Sequence, residues 1–211
     1  MNIVAIVSSK GGVGKTTVTQ CLAVEALRQG IAAAIIDADP QRSAADWGEQ
    51  RAAADLDAPT VIALGSKTLV SVVADLKKRG AGMIFIDTPP HSAPAINAAL
   101  DVSTGSIMVT RPNPMDLRAL EATWSIVSRM KNPSAAIFTQ TPPGNRARAL
   151  GLAQGRLEEI KMPFCPTPIS YTLSFPYAQA EALSVQEREP TGKARAEIAE
   201  IWGWLKRTSI F

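Results

Sequence analysis

Lys10-Gly11-Gly12-Val13-Gly14-Lys15-Thr16-Thr17 is the stretch that decides how this chain is read. An apolar run, Ile3-Val4-Ala5-Ile6-Val7, precedes it, and apolar residues at helical spacing, Val18, Cys21, Leu22, Val24 and Leu27, follow it. The pattern is strand, loop, helix, which is the setting a phosphate loop needs. Gly11, Gly12 and Gly14 let the backbone turn several N–H groups toward one point, at a helix N-terminus whose partial positive charge favours an anion. Lys15 is placed to reach the β- and γ-phosphates, and the Thr16 hydroxyl to sit on Mg²⁺. The match to G-x-x-x-x-G-K-[ST] is incomplete, because Ser9 occupies the first glycine position and a second lysine, Lys10, stands just ahead of the glycine pair.

Two further acidic motifs follow strands. Ile31 to Ile36 reads as a buried strand and ends on Asp37-Ala38-Asp39-Pro40-Gln41. Carboxylates at the C-terminal end of a strand lie where open parallel sheets bind ligands, although an acidic turn that caps the next helix gives the same local pattern. Ser43 is the residue expected to cap that helix, which carries Trp47 and runs to about Asp55. Met83-Ile84-Phe85-Ile86-Asp87 is another core strand with a terminal acid, as a Walker B carboxylate requires, and Thr88-Pro89-Pro90 stiffens the loop behind it. His91, the single histidine, lies in that loop and has no part in the expected chemistry.

Lys-Gly-Gly-x-Gly-Lys-Thr-Thr resembles the deviant Walker A motif of the ParA/MinD ATPases, and Asp-x-Asp-Pro-Gln and Asp-x-Pro-Pro resemble the family's second and third nucleotide motifs. The resemblance implies ATP and Mg²⁺ as cofactors and an ATP-dependent homodimer. Residues Lys10 to Thr17, with Asp37 and Asp87, would form the nucleotide site, Gly11, Gly12, Val13, Gly14 and Thr17 through their backbone. Thr16, Asp37 and Asp87 would lie at the metal, Lys15 on the phosphates, and Asp39 would orient the attacking water. Lys10 would reach across a nucleotide-sandwich dimer to the partner's phosphates. Pro112-Asn113-Pro114-Met115-Asp116 is similar to the Pro-x-Pro-x-Asp stretch of small ParA proteins, on the side facing the dimer.

The resemblance weakens after residue 140. Relatives often carry an arginine used on DNA where Thr172 stands, a glycine where Ala182 stands, and an asparagine where this chain has Gln140-Thr141. The DNA surface is therefore read from charge alone. Arg146, Arg148, Arg156 and Lys161 are the first candidates; Lys193, Arg195, Lys206 and Arg207 come second. The net charge of +3 is too small for tight binding by a monomer, so a dimer with two copies of any basic surface is expected to bind nonspecific DNA.

The expected fold is α/β: a doubly wound, mostly parallel sheet with helices on both faces, of P-loop NTPase type, in one domain over 1–211. No apolar run approaches the ~18 residues of a bilayer span, and the N-terminal run leads into the phosphate loop, so the expected location is cytoplasmic, on the nucleoid when ATP is bound. Four functions share these motifs. The first is a ParA-like partition or cargo-positioning ATPase, stimulated by a ParB-like or adaptor protein; a loop that starts at residue 10 resembles the short ParA class, which has no N-terminal helix-turn-helix. A MinD-like membrane regulator needs a free amphipathic helix, but Ile198, Ile201, Trp202 and Leu205 share one face that is needed to dock the last helix on the sheet. An iron–sulphur carrier needs paired cysteines, and Cys21 and Cys165 stand far apart. A P-loop metabolite kinase or synthetase is the remaining competitor; its tyrosine-kinase version fails for lack of a tyrosine cluster.

Overall fold

Strand and helix alternate from the second residue in the computed structural model, which describes residues 1–56, 58–142 and 146–211, the side chains of Arg146 and Ala147 excepted. The strands are β1 (Asn2–Val7), β2 (Ala33–Asp37), β3 (Thr60–Ala63), β4 (Met83–Asp87), β5 (Gly105–Thr110) and β6 (Ser134–Phe138). They form one sheet in the order β3-β2-β4-β1-β5-β6, and every pairing is parallel. Continuous apolar runs such as Ile84-Phe85-Ile86 follow from this arrangement, because a parallel sheet is covered on both sides and alternate residues enter opposite cores. Val4, Ile6, Ile35 and Phe85 point into one core; Ala5, Val7, Ile36 and Ile84 point into the other.

The first core is closed by α1 (Lys15–Arg28), α2 (Ser43–Ala53), α7 (Ser174–Ala180), α8 (Val185–Arg188) and α9 (Lys193–Arg207). The second is closed by α3 (Leu69–Lys78), α4 (Ala93–Val102), α5 (Pro114–Val127) and α6 (Arg146–Glu159). Crossovers from β1 to β2 to β3 step one way along the sheet and use the first face. Those from β3 to β4, β5 and β6 step the other way and use the second, so all keep one hand. The loop after β1 therefore turns to one face while those after its neighbours β4 and β5 turn to the other, which opens a crevice at the C-terminal edge.

Two local features differ from the sequence expectation. The sheet has an added strand-like margin: Ala136 bridges Phe164 and Thr141 bridges Ser170, in parallel, so the segment after α6 returns beside β6. Helix α2 is capped not by Ser43 but by Asp37, whose Oδ2 accepts the N–H groups of Ala44 and Ala45, each at 2.9 Å. Arg42, at φ 58°, precedes that helix without a side-chain cap. Ala182 holds φ 56°, a conformation that favours glycine, and this is the position where the family commonly has one.

The apolar stripe of α9 is packed inward: Ile198, Ile201, Trp202 and Leu205 are buried, with Phe211 against Trp202. Among the described residues no helix is long and apolar enough to cross a membrane. Helix α2 is tied to α8 by Arg51, which is 3 % exposed, forks onto Glu187 at 2.9 and 2.8 Å, and lies 4.7 Å over the Trp47 ring.

Candidate nucleotide site

The loop from Ser9 to Gly14 joins β1 to α1 and is held from several sides. Gly12 and Gly14 sit at φ 70° and 91°, which a side chain would strain, and Gly14 is the residue from which α1 starts. From the end of β6, the Thr139 hydroxyl donates to the Val13 carbonyl at 2.6 Å and the Gln140 amide to the Gly12 carbonyl at 2.8 Å. Those bonds engage the Val13 and Gly12 carbonyls from the β6 side of the loop. Ser9 N–H donates to Thr123 Oγ1 of α5 at 3.2 Å, so the serine in the first glycine position anchors the loop's start.

Lys15 opens α1 and is 7 % exposed, with Nζ 3.4 Å from the Lys10 carbonyl. Burial lowers its pKa, against the opposing fields of Asp87 and Asp39. Thr16 donates its hydroxyl to Asp87 Oδ2 at 2.6 Å. Asp87 ends β4 in register with Asp37 at the end of the adjacent β2, so the strand ends bring two carboxylates side by side. Burial, reinforced by Asp37 and Asp39, pushes the Asp87 carboxyl up to about 7, although the Thr16 hydroxyl and Lys15 pull the other way. Its Oδ1 is buried without a hydrogen-bond partner among the described residues. Asp37 is raised by burial in spite of the N–H groups of Ala45, Asp39 and Ala44 that favour its charged form. Asp39 is more exposed and accepts the Gln41 N–H at 2.9 Å.

A hydroxyl and a carboxylate in direct contact, one carboxylate oxygen lacking a partner, and a half-paired lysine at the same loop are a donor set that suits a hard divalent cation with a phosphate. Mg²⁺ takes oxygen ligands and is held through one or two carboxylates plus phosphate and water, so the residues present fit it. Thr16 and Asp87 are the groups that reach that position. Asp37 spends both oxygens on backbone N–H groups, so here it fixes the turn that carries Asp39.

Beside the loop, Thr17, Val18, Gln140, Tyr171 and Phe175 line a cavity of 230 Å³. A larger groove of 480 Å³ lies away from the loop, between α5 and α6. The Lys10 side chain pairs with Asp116 of α5 at 2.8 Å.

Among the described side chains, the DNA candidates are not all free. Arg156 is committed to Glu121 at 2.6 Å and Glu159 at 2.7 Å. Arg148 and Lys161 are exposed at the two ends of α6, whereas the Arg146 side chain lies outside the described residues. Sequence reasoning missed Thr139, Gln140, Thr123 and Asp116 as supports of the loop. The Pro-x-Pro-x-Asp stretch was the signal for the last of these; the others had none.

Fold and site together define a P-loop nucleotide-binding protein. The chain belongs to the CobQ/CobB/MinD/ParA nucleotide binding domain family, whose model matches residues 4–181. It is 30 % identical, over 92 % of its own length and 88 % of the other's, to the maintenance of carboxysome distribution protein A of Gloeobacter kilaueensis. It is 23 % identical to the ParA protein of Rhizobium radiobacter, over 70 % of this chain and 68 % of that one. Its fold is similar to that of the septum site-determining protein MinD of Pyrococcus horikoshii, solved with Mg-ADP, at a TM-score of 0.73 and 18 % identity, covering 98 % of this chain and 96 % of that one.

Proposed function

We propose that the chain is a positioning ATPase of the ParA type: it binds ATP with Mg²⁺, forms a nucleotide-sandwich homodimer that holds nonspecific DNA, and is released by hydrolysis that a cargo-bound partner stimulates. The observation that carries this reading is the pair of lysines at one loop, Lys15 buried where the loop enters α1 and Lys10 near its start with a side chain paired to Asp116 of α5. A monomeric metabolite kinase needs only the first. The carboxysome-distribution relative favours cargo placement and the ParA relative favours DNA partition; both fit a partner that is a ParB-like or adaptor protein.

In this reading the backbone N–H groups of Gly11 to Thr16 cradle the phosphates and Lys15 neutralises part of their charge. A bound Mg²⁺ would supply electrostatic stabilisation of the β- and γ-phosphate oxygens. Asp87 and Thr16 hold the place for it. Asp39, on a turn that Asp37 anchors, orients the water, and Lys10 of each subunit completes the other's site. The base is assigned to the 230 Å³ cavity, where the Tyr171 and Phe175 rings offer stacking surfaces.

DNA binding is tested by fluorescence anisotropy of a random-sequence duplex with ATP, with ADP and without nucleotide. Binding is expected only with ATP. If about four phosphates are neutralised per dimer, affinity should fall about 100-fold between ~50 and ~200 mM salt, and the Arg146→Ala/Arg148→Ala double variant should weaken it. Equal binding with ADP, or none with ATP at low salt, overturns the DNA part of the proposal and favours the metabolite enzyme.

A further inference from the structure

Asp116 has an arrangement that the nucleotide motifs do not require. It lies in the first turn of α5, its side chain 1 % exposed, and it is shared by two cations. Lys10 Nζ is 2.8 Å from Oδ1. Arg111 places its Nε on Oδ2 and its Nη2 3.3 Å from Oδ1. The backbone around the carboxylate is rigid: Asn113 Oδ1 accepts the Asp116 N–H at 3.0 Å as the helix cap, and Pro112 and Pro114 flank that cap. Both cations favour the ionised form, and they hold the Asp116 carboxyl below the usual carboxylate range although burial alone would raise it.

The two cations are not equivalent. Arg111 is five residues away in sequence and its fork is fixed by the same turn. Lys10 arrives from the phosphate loop, 33 % exposed, on a backbone followed by two glycines. If Lys10 leaves, Arg111 still neutralises the buried carboxylate, so departure does not strand an unpaired charge in the interior. If Arg111 were absent, departure of Lys10 would do so. The arrangement is that of a catch whose mobile half can be released.

We propose that Asp116 is a positioning residue that holds Lys10 on its own subunit until a second nucleotide-loaded subunit competes for it, so that this pair sets the ATP and protein concentrations at which the dimer forms. The proposal rests on the reading of Lys10 as the cross-subunit lysine and names how that residue is regulated. Partly exposed ion pairs are each worth up to about five-fold in an equilibrium, and two must open per dimer, so freeing both should lower the dimer dissociation constant by several-fold and at most about 25-fold.

Asp116→Asn and Arg111→Gln test this, because they predict opposite signs. Asp116→Asn is nearly isosteric and leaves the Asn113 cap intact; the dimer should form at lower concentration. Arg111→Gln leaves Lys10 as the only cation on a buried carboxylate; the dimer should require several-fold more protein. Loss of fold would push both variants the same way. Dimerisation is followed by sedimentation across a protein titration with Mg²⁺ and ATP. Independently of nucleotide, the rate of reductive methylation of the Lys10 amine, read by peptide mass, should rise in Asp116→Asn and fall in Arg111→Gln relative to wild type. A weaker dimer in Asp116→Asn overturns the proposal and makes Asp116 a support of the assembled dimer. Unchanged methylation in both variants shows that the catch is not closed in solution and overturns it too. A wild-type chain that never dimerises with ATP, with methylation shifted as expected, refutes the sandwich reading and the regulation with it, while leaving the Lys10–Asp116 pair as a structural contact.

Discussion

Asp87→Asn removes the acid whose burial most disturbs this protein, and its effect can be worked out for the nucleotide-free chain. The Asp87 carboxyl rests at about 7 in the fold against an ordinary 3.8, so between those values the folded chain binds a proton that the unfolded chain has released. A state that binds the extra proton is favoured at low pH, and the contribution of Asp87 to stability therefore declines as pH rises from about 4 to 7. From pH 5 to pH 7.5 the loss is of the order of 2–3 kcal/mol, at about 1.4 kcal/mol for each full unit in which only one state is protonated. Asp37, also raised by burial, contributes with the same sign. Carboxylates that the fold holds low, such as Asp116 and Glu187, act oppositely, and theirs is stability lost only as pH falls below about 4. Urea unfolding at the two pH values, without Mg²⁺ or nucleotide, reads the difference directly. Wild type should lose stability between pH 5 and 7.5, and Asp87→Asn should lose roughly 2–3 kcal/mol less. Added Mg²⁺ with ADP should flatten the wild-type dependence, because a cation beside the carboxylate favours its charged form. The same slope in wild type and variant would refute the assignment of Asp87 as a buried acid poised near neutrality.

Lys15→Ala should weaken binding of a fluorescent ATP analogue roughly 10–100-fold, the worth of a charge-assisted contact to phosphate; undiminished binding would remove Lys15 from the phosphates. Lys10→Ala should bind nucleotide as a monomer and neither dimerise nor hydrolyse it, and a normal ATP-induced dimer would leave Lys10 as a loop residue. Asp39→Ala should bind ATP and dimerise while turnover, followed by phosphate release, drops at least ~10²-fold, since a water-orienting carboxylate acts at the chemical step. Wild-type turnover would take Asp39 out of the mechanism. Arg51→Ala should cost about 3 kcal/mol in urea unfolding because Glu187 loses its buried partner; a cost below 1 kcal/mol would mean that Trp47 packing alone ties α2 to α8.

What could be read from the sequence was what is local. Val4-Ala5-Ile6-Val7 and Ile84-Phe85-Ile86 declare buried parallel strands by composition, and Gly12, Gly14, Lys15 and Thr16 declare a phosphate loop because strand and helix flank them. Asp87 could be placed because a strand ended on it. Contacts across the sheet left no such trace. Thr139 and Gln140 hold the loop from the far end of the fold, and Asp116 meets Lys10 only because β5 lies next to β1. Ser43 is the capping residue nearest to α2 in sequence, yet Asp37 at the end of the preceding strand caps it, with Oδ2 accepting from both Ala44 and Ala45, and a charged acceptor at a helix N-terminus is preferred to a hydroxyl. Between Phe164 and Ser170 the chain pairs with β6 and its neighbour Thr141 at isolated bridges, because Pro166 and Pro168 interrupt the ladder.

The central claim is that ATP assembles two copies of this chain across two nucleotides. Light scattering coupled to size exclusion, with Mg²⁺ and either ATP or ADP, measures this most directly on the Asp39→Ala variant, which should hold ATP unhydrolysed. The account predicts a mass near 22.4 kDa with ADP and about double that with ATP, and the monomer mass with ATP once Lys10→Ala is added to the same chain. A single mass under all three conditions, with ATP shown to be bound, would contradict it.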